Sequence, residues 1–226
     1  MGLAPARFGR IDGLSFARLM GSGAGNGFSL WPNFGVYAFV GHWADVASAD
    51  AFFEADEWLA AVRARAAHLI TWKLEATMSH GAWGGKNPFT PRLDAYDPAG
   101  PVAVITRATI HPHKLPEFWR KVPATSRSVA DYPERLLSVG IGEYPIFMQA
   151  TFSVWTSGQA MTDFAYQGTH HREVVKLTRQ RGWYREELFS RFRILNVEGT
   201  WPGFDENALS FTGRVGPFPN VKVHKR

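Results

Sequence analysis

Two adjacent histidines in the second half of the chain are the residues best suited to bind a metal ion. His170 and His171 begin a run with a helical pattern, His-His-Arg-Glu-Val-Val-Lys-Leu-Thr-Arg. Successive helix positions differ in direction by about 100°, so the two imidazoles cannot bind one ion from the same side. His171 shares a face with the apolar residues Phe164 and Val175, whereas His170 lies nearer to Glu173 on a mixed face. The pattern favours His171 as ligand and His170 as second choice, the alternative being a helix-start histidine bonded to backbone.

The absence of cysteine restricts the chemistry further. Disulfides, thiolate ligation of haem iron, iron–sulfur clusters and zinc-thiolate sites are excluded. An iron tetrapyrrole bound by this chain would need histidine, tyrosine or methionine as its axial ligand.

Arg107 is a charged residue inside an apolar strand. By strand alternation its side chain points away from those of Thr106 and Ala108. If that face is interior, the buried guanidinium requires an anion. The alternative is an arginine on the solvent face of the strand.

Other polar motifs predict structure rather than chemistry. His42 is expected to be a structural histidine at a strand end. The pair in His111-Pro-His113 has the spacing of two metal ligands, but the proline and the lack of a nearby carboxylate favour a turn. The glycine-rich segment Gly21–Gly27 is not followed by a helix, as a dinucleotide-binding loop would be.

Charged and aromatic residues late in the chain have structural interpretations as well. Glu186 and the following glutamate are expected to form a cap and to pair with Arg191. Trp119, Trp155 and Trp183 could stack on a flat ligand, although such residues more often fill a core.

The elements that must position these residues alternate between strand and helix. Strands are predicted at 15–20, 34–43, 69–78, 101–110, 136–141, 146–155 and 188–197. Helices are predicted from Ser48 as N-cap through Val62, over 115–129 with a bend at Pro123, and over 158–183 with a break near Gly168. In the Gly- and Pro-rich segment 81–100, Trp83 and Phe89 are expected to pack against the core.

This order of elements predicts an α+β fold. The second half has the order β-α-β-β-α-β of a ferredoxin-like unit. The first half resembles it through Ala38–Trp43 and Ala150–Trp155, which are both followed by a helix and a strand. We therefore expect two ferredoxin-like repeats that form a barrel of the dimeric α+β type. The predicted organisation is a first repeat at 1–90, a linker at 91–100, a second repeat with the metal ligand at 101–200 and a tail at 201–226.

The net charge of +5 is spread along the chain and does not predict a nucleic-acid partner. Arg172, Lys176 and Arg179 form either a solvated helix face or a surface for anionic lipid or an acidic electron donor. No secretory signal and no 18-residue apolar stretch is present, so we expect a cytoplasmic protein, with peripheral membrane contact as a further expectation.

Several segments of the chain form a recognisable series when they are taken together. They are Leu19–Gly25 (LMGSGAG), Pro101–Thr109 (PVAVITRAT), Phe118-Trp119, Gly140–Pro145 (GIGEYP), Gln149–Trp155 (QATFSVW), Phe164–Tyr166, His171-Arg172 and Trp183–Phe192 (WYREELFSRF). In this order, over about residues 13–200, they resemble the spheroidene monooxygenase family of carotenoid biosynthesis. Such a match is specific for family membership and does not identify the substrate.

The resemblance implies a haem-dependent monooxygenase, with haem b as cofactor and dioxygen as co-substrate. Electrons would come from a redox partner such as reduced ferredoxin, and an allylic carbon of an acyclic carotenoid would be oxidised to a ketone. His171 would be the proximal iron ligand, and Trp155 and Phe164 would line the haem. Arg107 would meet a haem propionate or bound peroxide and assist O–O cleavage.

Two other functions remain open from the sequence. A related haem barrel could act as a peroxidase or dehydratase on a small specialised metabolite. A non-catalytic tetrapyrrole-binding barrel is the third interpretation. An oligomer is compatible with all three.

Overall fold

The computed structural model describes residues 7–23, 31–120, 132–144, 146–167, 178 and 180–209. Its strands are β1 (Leu14–Gly23), β2 (Pro32–Trp43), β3 (Ile70–Gly81), β4 (Val102–Ile110), β5 (Arg135–Tyr144), β6 (Met148–Trp155) and β7 (Tyr184–Gly199). They form one antiparallel sheet in the order β2-β1-β5-β6-β4-β7-β3. All seven predicted strands are present, and most extend beyond the predicted bounds.

The described helices are α1 (Val46–Ala55), α2 (Glu57–Arg65), α3 (Gly158–Gln167) and a helical segment at 115–120, with short 3-10 turns at Leu93–Ala95, Pro112–Lys114 and Glu206–Ala208. The prediction of one helix capped by Ser48 is wrong. Asp45 is the N-cap of α1 and accepts a hydrogen bond from the Ser48 N–H at 2.7 Å. The helix then breaks at Asp56, whose carboxylate caps α2 through the N–H groups of Trp58 and Leu59.

The sheet is strongly curled. β6 and β3 are separated by β4 and β7, a distance of about 14 Å in a flat sheet, yet the ring centroids of Phe152 and Trp72 lie 5.7 Å apart. Phe89 fills the concave side, with its ring 6.3 Å from that of Phe16 on β1 and 5.1 Å from that of Phe192 on β7. We call this concave side the inner face, and its core includes residues from all seven strands. Trp83 and Phe89 are both buried, as predicted.

Helices cover the opposite, convex side, which we call the helix face. Val102 and Val104 of β4 pack there against Met161 and Phe164 of α3. A second cluster on this face joins Ile110, Phe118 and Trp183 where β4 ends. β4 therefore lies in the centre of the protein, with buried residues on both sides.

The observed architecture is α+β, with few helices and one curled sheet. Among the described residues the first half supplies three strands, two at one edge of the sheet and one at the other. The two-repeat interpretation is not decided by this arrangement and stays a prediction. No helix in the described part of the chain is both long and apolar enough to cross a membrane.

Candidate functional site

Arg107 lies on the inner face of the sheet. Alternation along β4 places it on the same side as Ala103 and Ile105, while the neighbouring Thr106 is exposed. Only 3% of Arg107 is accessible to solvent. The arginine is thus an interior cation, and its charge requires compensation inside the protein.

Two glutamates compensate this charge. The Arg107 guanidinium donates a short hydrogen bond to the Glu186 carboxylate and lies 3.5 Å from Glu143 Oε2. The guanidinium carbon of Arg107 also lies 5.8 Å from the ring centroid of Trp83. The expected anion is therefore supplied by the protein itself, and the pairing of Glu186 with Arg191 is wrong.

Glu186 also holds a backbone turn. Its carboxylate accepts hydrogen bonds from the N–H groups of Gly84 at 3.0 Å and Gly85 at 2.6 Å. Both glycines have positive φ angles, 74° and 86°, which glycine adopts without steric cost. Burial alone would raise the pKa of Glu186, but these two N–H donors and Arg107 outweigh it and hold that pKa below its usual value.

Glu143 connects the turn to the other side of the sheet. It accepts a hydrogen bond from Trp83 Nε1 at 2.8 Å and forms an ion pair with Arg18 Nε, also at 2.8 Å. The turn over 83–86, which we call the Trp83 turn, thus reaches from the end of β3 to β1 and β5. It closes one end of the curled sheet, and two arginines and two glutamates fix it there.

Two buried polar atoms of β4 have no hydrogen-bond partner in the described part of the chain. They are Arg107 Nε and Thr109 Oγ1. The two residues are two positions apart on one strand and therefore point to the same side. An unsatisfied buried donor is costly, so this end of the inner face can accept a polar ligand atom.

Trp155 and Phe164 lie together on the helix face. Their ring centroids are 4.9 Å apart, and Tyr132 packs on both, at 5.8 and 5.2 Å. Burial raises the pKa of Tyr132 above its usual value, with smaller contributions from Glu134 and Asp163. The structure brings Trp155 and Phe164 together and places Arg107 on the opposite side of the sheet. One planar ligand on one face cannot contact all three.

The helix face also contains two unsatisfied indole donors. Trp119 Nε1 and Trp183 Nε1 are buried and have no acceptor among the described residues. The ring of Phe118 lies between them, with centroid distances of 5.2 and 5.8 Å to the two tryptophans. A bound group with carboxylates, such as haem with its propionates, has the acceptors that these two donors lack. The donor chemistry of this face therefore fits the cofactor that the sequence suggested.

The predicted iron ligands His170 and His171 lie outside the described residues. His42 accepts or donates a hydrogen bond with Ser15 Oγ at 2.7 Å, and burial lowers its pKa. His111 and His113 face each other in the turn after β4, with ring centroids 5.3 Å apart. In the described ranges no three histidine, aspartate or glutamate side chains are grouped to hold a metal ion.

Sequence reasoning assigned Glu186 the wrong partner, and it missed Glu143 and the indole donor of Trp83. A signal for Glu186 was present, because it shares strand parity with Leu188 and Phe192, whose side chains face the core. A carboxylate on such a face requires a cation, and Arg107 was the strand arginine for which the sequence had already required a buried anion. The sequence contains no comparable pattern that would predict the contacts of Glu143 with Trp83 and Arg18.

No protein-family model matches the chain. Three curated proteins named spheroidene monooxygenase are similar to it. The protein from Rhodobacter capsulatus is 40% identical over 194 residues, which cover 85% of this chain and 80% of the relative. The protein from Rubrivivax gelatinosus is 36% identical over 84% of this chain and 73% of the relative. The protein from Cereibacter sphaeroides is 34% identical over 90% of this chain and 63% of the relative.

Solved structures are more distant from this chain. A monooxygenase-like protein from Listeria innocua is 12% identical, covers 80% of this chain and 95% of its own, and gives a TM-score of 0.31. The heme-degrading enzyme from Listeria monocytogenes is 15% identical and gives the same TM-score. The match covers 53% of this chain and 71% of that enzyme. Similarity at this level does not establish a shared fold.

Proposed function

Because the chain belongs to the spheroidene monooxygenase family, we propose that it is an oxygenase for a carotenoid-like hydrocarbon. The observation that supports this most strongly is the 40% identity to one such enzyme over most of both chains. Dioxygen would be the co-substrate, and a redox partner such as reduced ferredoxin would supply the electrons.

The proposed cofactor is haem b, which when bound supplies dioxygen activation. His171 would ligate the iron, with His170 as second choice. Trp119 and Trp183 would donate their indole N–H groups to carboxylates of the cofactor. The surrounding side chains on this face are mostly aromatic and aliphatic, which excludes water and suits an apolar substrate.

We propose a positioning role for Arg107 in place of the distal role that the sequence suggested. Its guanidinium connects β4 to Glu186 at the start of β7, immediately after the segment that contains His171 and Trp183. The Arg107–Glu186 pair therefore fixes where β7 begins. Through that strand it fixes the position of Trp183 on the helix face.

Two other functions use the same face. A peroxidase or dehydratase would turn over without dioxygen or reductant. A tetrapyrrole carrier would bind the cofactor without forming product. The family match favours the oxygenase over both.

The fold and location complete the proposal. The second half, at 101–200, would be a ferredoxin-like repeat that contains the cofactor site, and the first half an incomplete copy. The protein would work in the cytoplasm, in contact with the membrane surface that contains its substrate.

The test combines a spectrum with an isotope experiment. Purified protein reconstituted with haem should show a Soret band, and acid-acetone should extract the cofactor because no Cys-x-x-Cys-His attachment motif exists. With an acyclic carotenoid, reduced ferredoxin and ¹⁸O-labelled dioxygen, the product should contain ¹⁸O. A protein that stays colourless, or a product whose oxygen comes from water, would overturn the proposal.

A further inference from the structure

One residue of the central strand is open to solvent. Eight of the nine residues of β4 are buried, whereas Thr106, in the middle of the strand, is exposed. Its side chain points to the helix face, as those of Val102 and Val104 do. A sheet face that packs against helices is expected to be covered at its centre. The helix layer therefore has an opening above Thr106, which we call the Thr106 window.

Strand register defines the floor of this window. Directly opposite Thr106 lie Thr151 on β6 and Phe189 on β7. Gly140 on β5 lies opposite Thr151, and His80 on β3 lies opposite Phe189. Opposite residues on paired strands point to the same side of a sheet, so these five form one row on the helix face. Adjacent strands are about 4.8 Å apart, which gives the row a length of roughly 19 Å.

The middle of the row combines small side chains with hydroxyl groups. Gly140 has no side chain, and Thr151 is half-buried beside the exposed Thr106. Each threonine hydroxyl can both donate and accept a hydrogen bond. Phe189 is half-buried, and its ring centroid lies 5.3 Å from that of His80. The floor thus leaves room for a ligand and offers it polar contacts at the centre.

Aromatic clusters border the window on two sides. Toward the start of β4, Val104 packs with Phe164 of α3. Toward its end, Ile110 packs with Phe118 and Trp183. Val104 and Ile110 are six positions apart on the strand, so roughly 20 Å of β4 lie between the two clusters. Walls of aromatic rings at this spacing suit a large flat ligand.

Two observations indicate which ligand covers the window. Trp183 Nε1 is buried at the border and has no acceptor among the described residues. Because an unpaired buried donor is costly, the covering group should contain an acceptor. The residues between α3 and β7 include His171, and both of these elements border the window. A cofactor held by His171 and bearing carboxylates meets both conditions.

We propose that the cofactor covers the Thr106 window, with the hydroxyl groups of Thr106 and Thr151 facing it. This inference rests on the proposed function, because it takes haem b as the occupant. It adds two binding residues that the sequence patterns did not indicate. Arg107, the next residue along β4, takes no part in the window because its side chain points to the inner face.

Site-specific labelling tests the position of the cofactor. The chain contains no cysteine, so the variant Thr106→Cys has a single thiol. N-ethylmaleimide should label this thiol in the haem-free protein. With haem at ten times its Kd about a tenth of the sites stay free, so labelling should slow about tenfold. The Soret band should keep the position that it has in the unchanged protein, which excludes ligation of the iron by the new thiol.

The matched control is Thr200→Cys, at an exposed threonine that follows β7 and lies eleven positions beyond Phe189. Its labelling should not respond to haem.

A second pair of variants tests the floor without a thiol. Thr106→Phe fills the window and should weaken haem binding about tenfold, as measured by titration of the Soret band. Thr106→Val retains the volume of the side chain and should bind haem within about twofold of the unchanged protein. Circular dichroism confirms that each variant is folded.

The possible failures are distinguishable. A Soret band with undiminished labelling of Thr106→Cys would overturn this inference and leave the proposed cofactor intact. No Soret band in the unchanged protein would overturn both. A thiol that is already protected in the haem-free protein would show that the chain itself covers the window. Protection by lycopene in detergent micelles, but not by haem, would assign the window to the substrate, and either result would overturn the inference.

Discussion

The guanidinium of Arg107 is hydrogen-bonded to the carboxylate of Glu186, 79 positions later in the chain, inside the curled sheet. This pair connects β4 to the first residues of β7. Through the N–H groups of Gly84 and Gly85 it also connects both strands to the Trp83 turn. Three segments that are distant in sequence therefore share one buried charge cluster. Its integrity should determine both stability and the geometry of the helix-face site.

Replacing Arg107→Met should destabilise the protein by about 3 to 5 kcal/mol. The reason is that both glutamates would lose a buried cation. The control, Arg193→Met, removes an arginine that pairs with Glu75 and is 45% exposed, so it should cost about 0 to 1 kcal/mol. Chemical denaturation measures the free energy of unfolding of both variants. An equal decrease in the two would show that Arg107 contributes no more to stability than a surface ion pair does.

The stability of the Trp83 turn should fall in acid. The pKa of Glu186 is lowered in the folded state, so its carboxylate stabilises the fold above its usual pKa of 4.5. That contribution is lost as the pH falls from 4.5 through the lowered value. Glu186→Gln should flatten this part of the stability profile, and the exposed Glu187→Gln should leave it unchanged. The protection of the Gly84 and Gly85 amides against hydrogen exchange, relative to their intrinsic rates, should fall over the same range in the unchanged protein only.

Tyr184 should make stability fall in alkali. Burial raises its pKa to about 12, against a partly opposing hydrogen bond with Thr178, from an ordinary value of 10.0. The neutral phenol is therefore favoured by the fold, and stability on the order of 2 kcal/mol should be lost as the pH rises from 10 to 12. Tyr184→Phe should remove this loss. Tyr144→Phe, at an exposed position, should retain it, and an identical profile for both variants would contradict the assignment.

Haem retention should depend on His171 and not on His170. His171→Ala should abolish the haem spectrum or the activity, whereas His170→Ala should change neither, because adjacent helix positions point about 100° apart. Free imidazole should restore part of the spectrum in the alanine variant, since the lost side chain leaves a cavity of that shape. The reverse pattern would assign the ligand to the other histidine while leaving the family membership intact.

The sequence by itself determined the strands and the family, and it placed the side chain of Arg107 on the opposite side of its strand from Thr106 and Ala108. These follow from local rules: alternation sets the direction of a strand side chain, and the apolar runs of β4 and β6 leave few alternatives to buried strands. The N-cap of α1 was misplaced by three residues, because Asp45 and Ser48 both suit a cap and only the backbone conformation decides between them.

Only the tertiary structure decided which charged residues form ion pairs and on which face of the sheet each site residue lies. The cation of Arg107 meets Glu186 and Glu143 because the strand order puts β7 and β6–β5 on either side of β4. Sequence separation contains no information on that order. The same order separates Arg107 from Trp155 and Phe164, since side chains on opposite faces of one sheet are divided by its backbone.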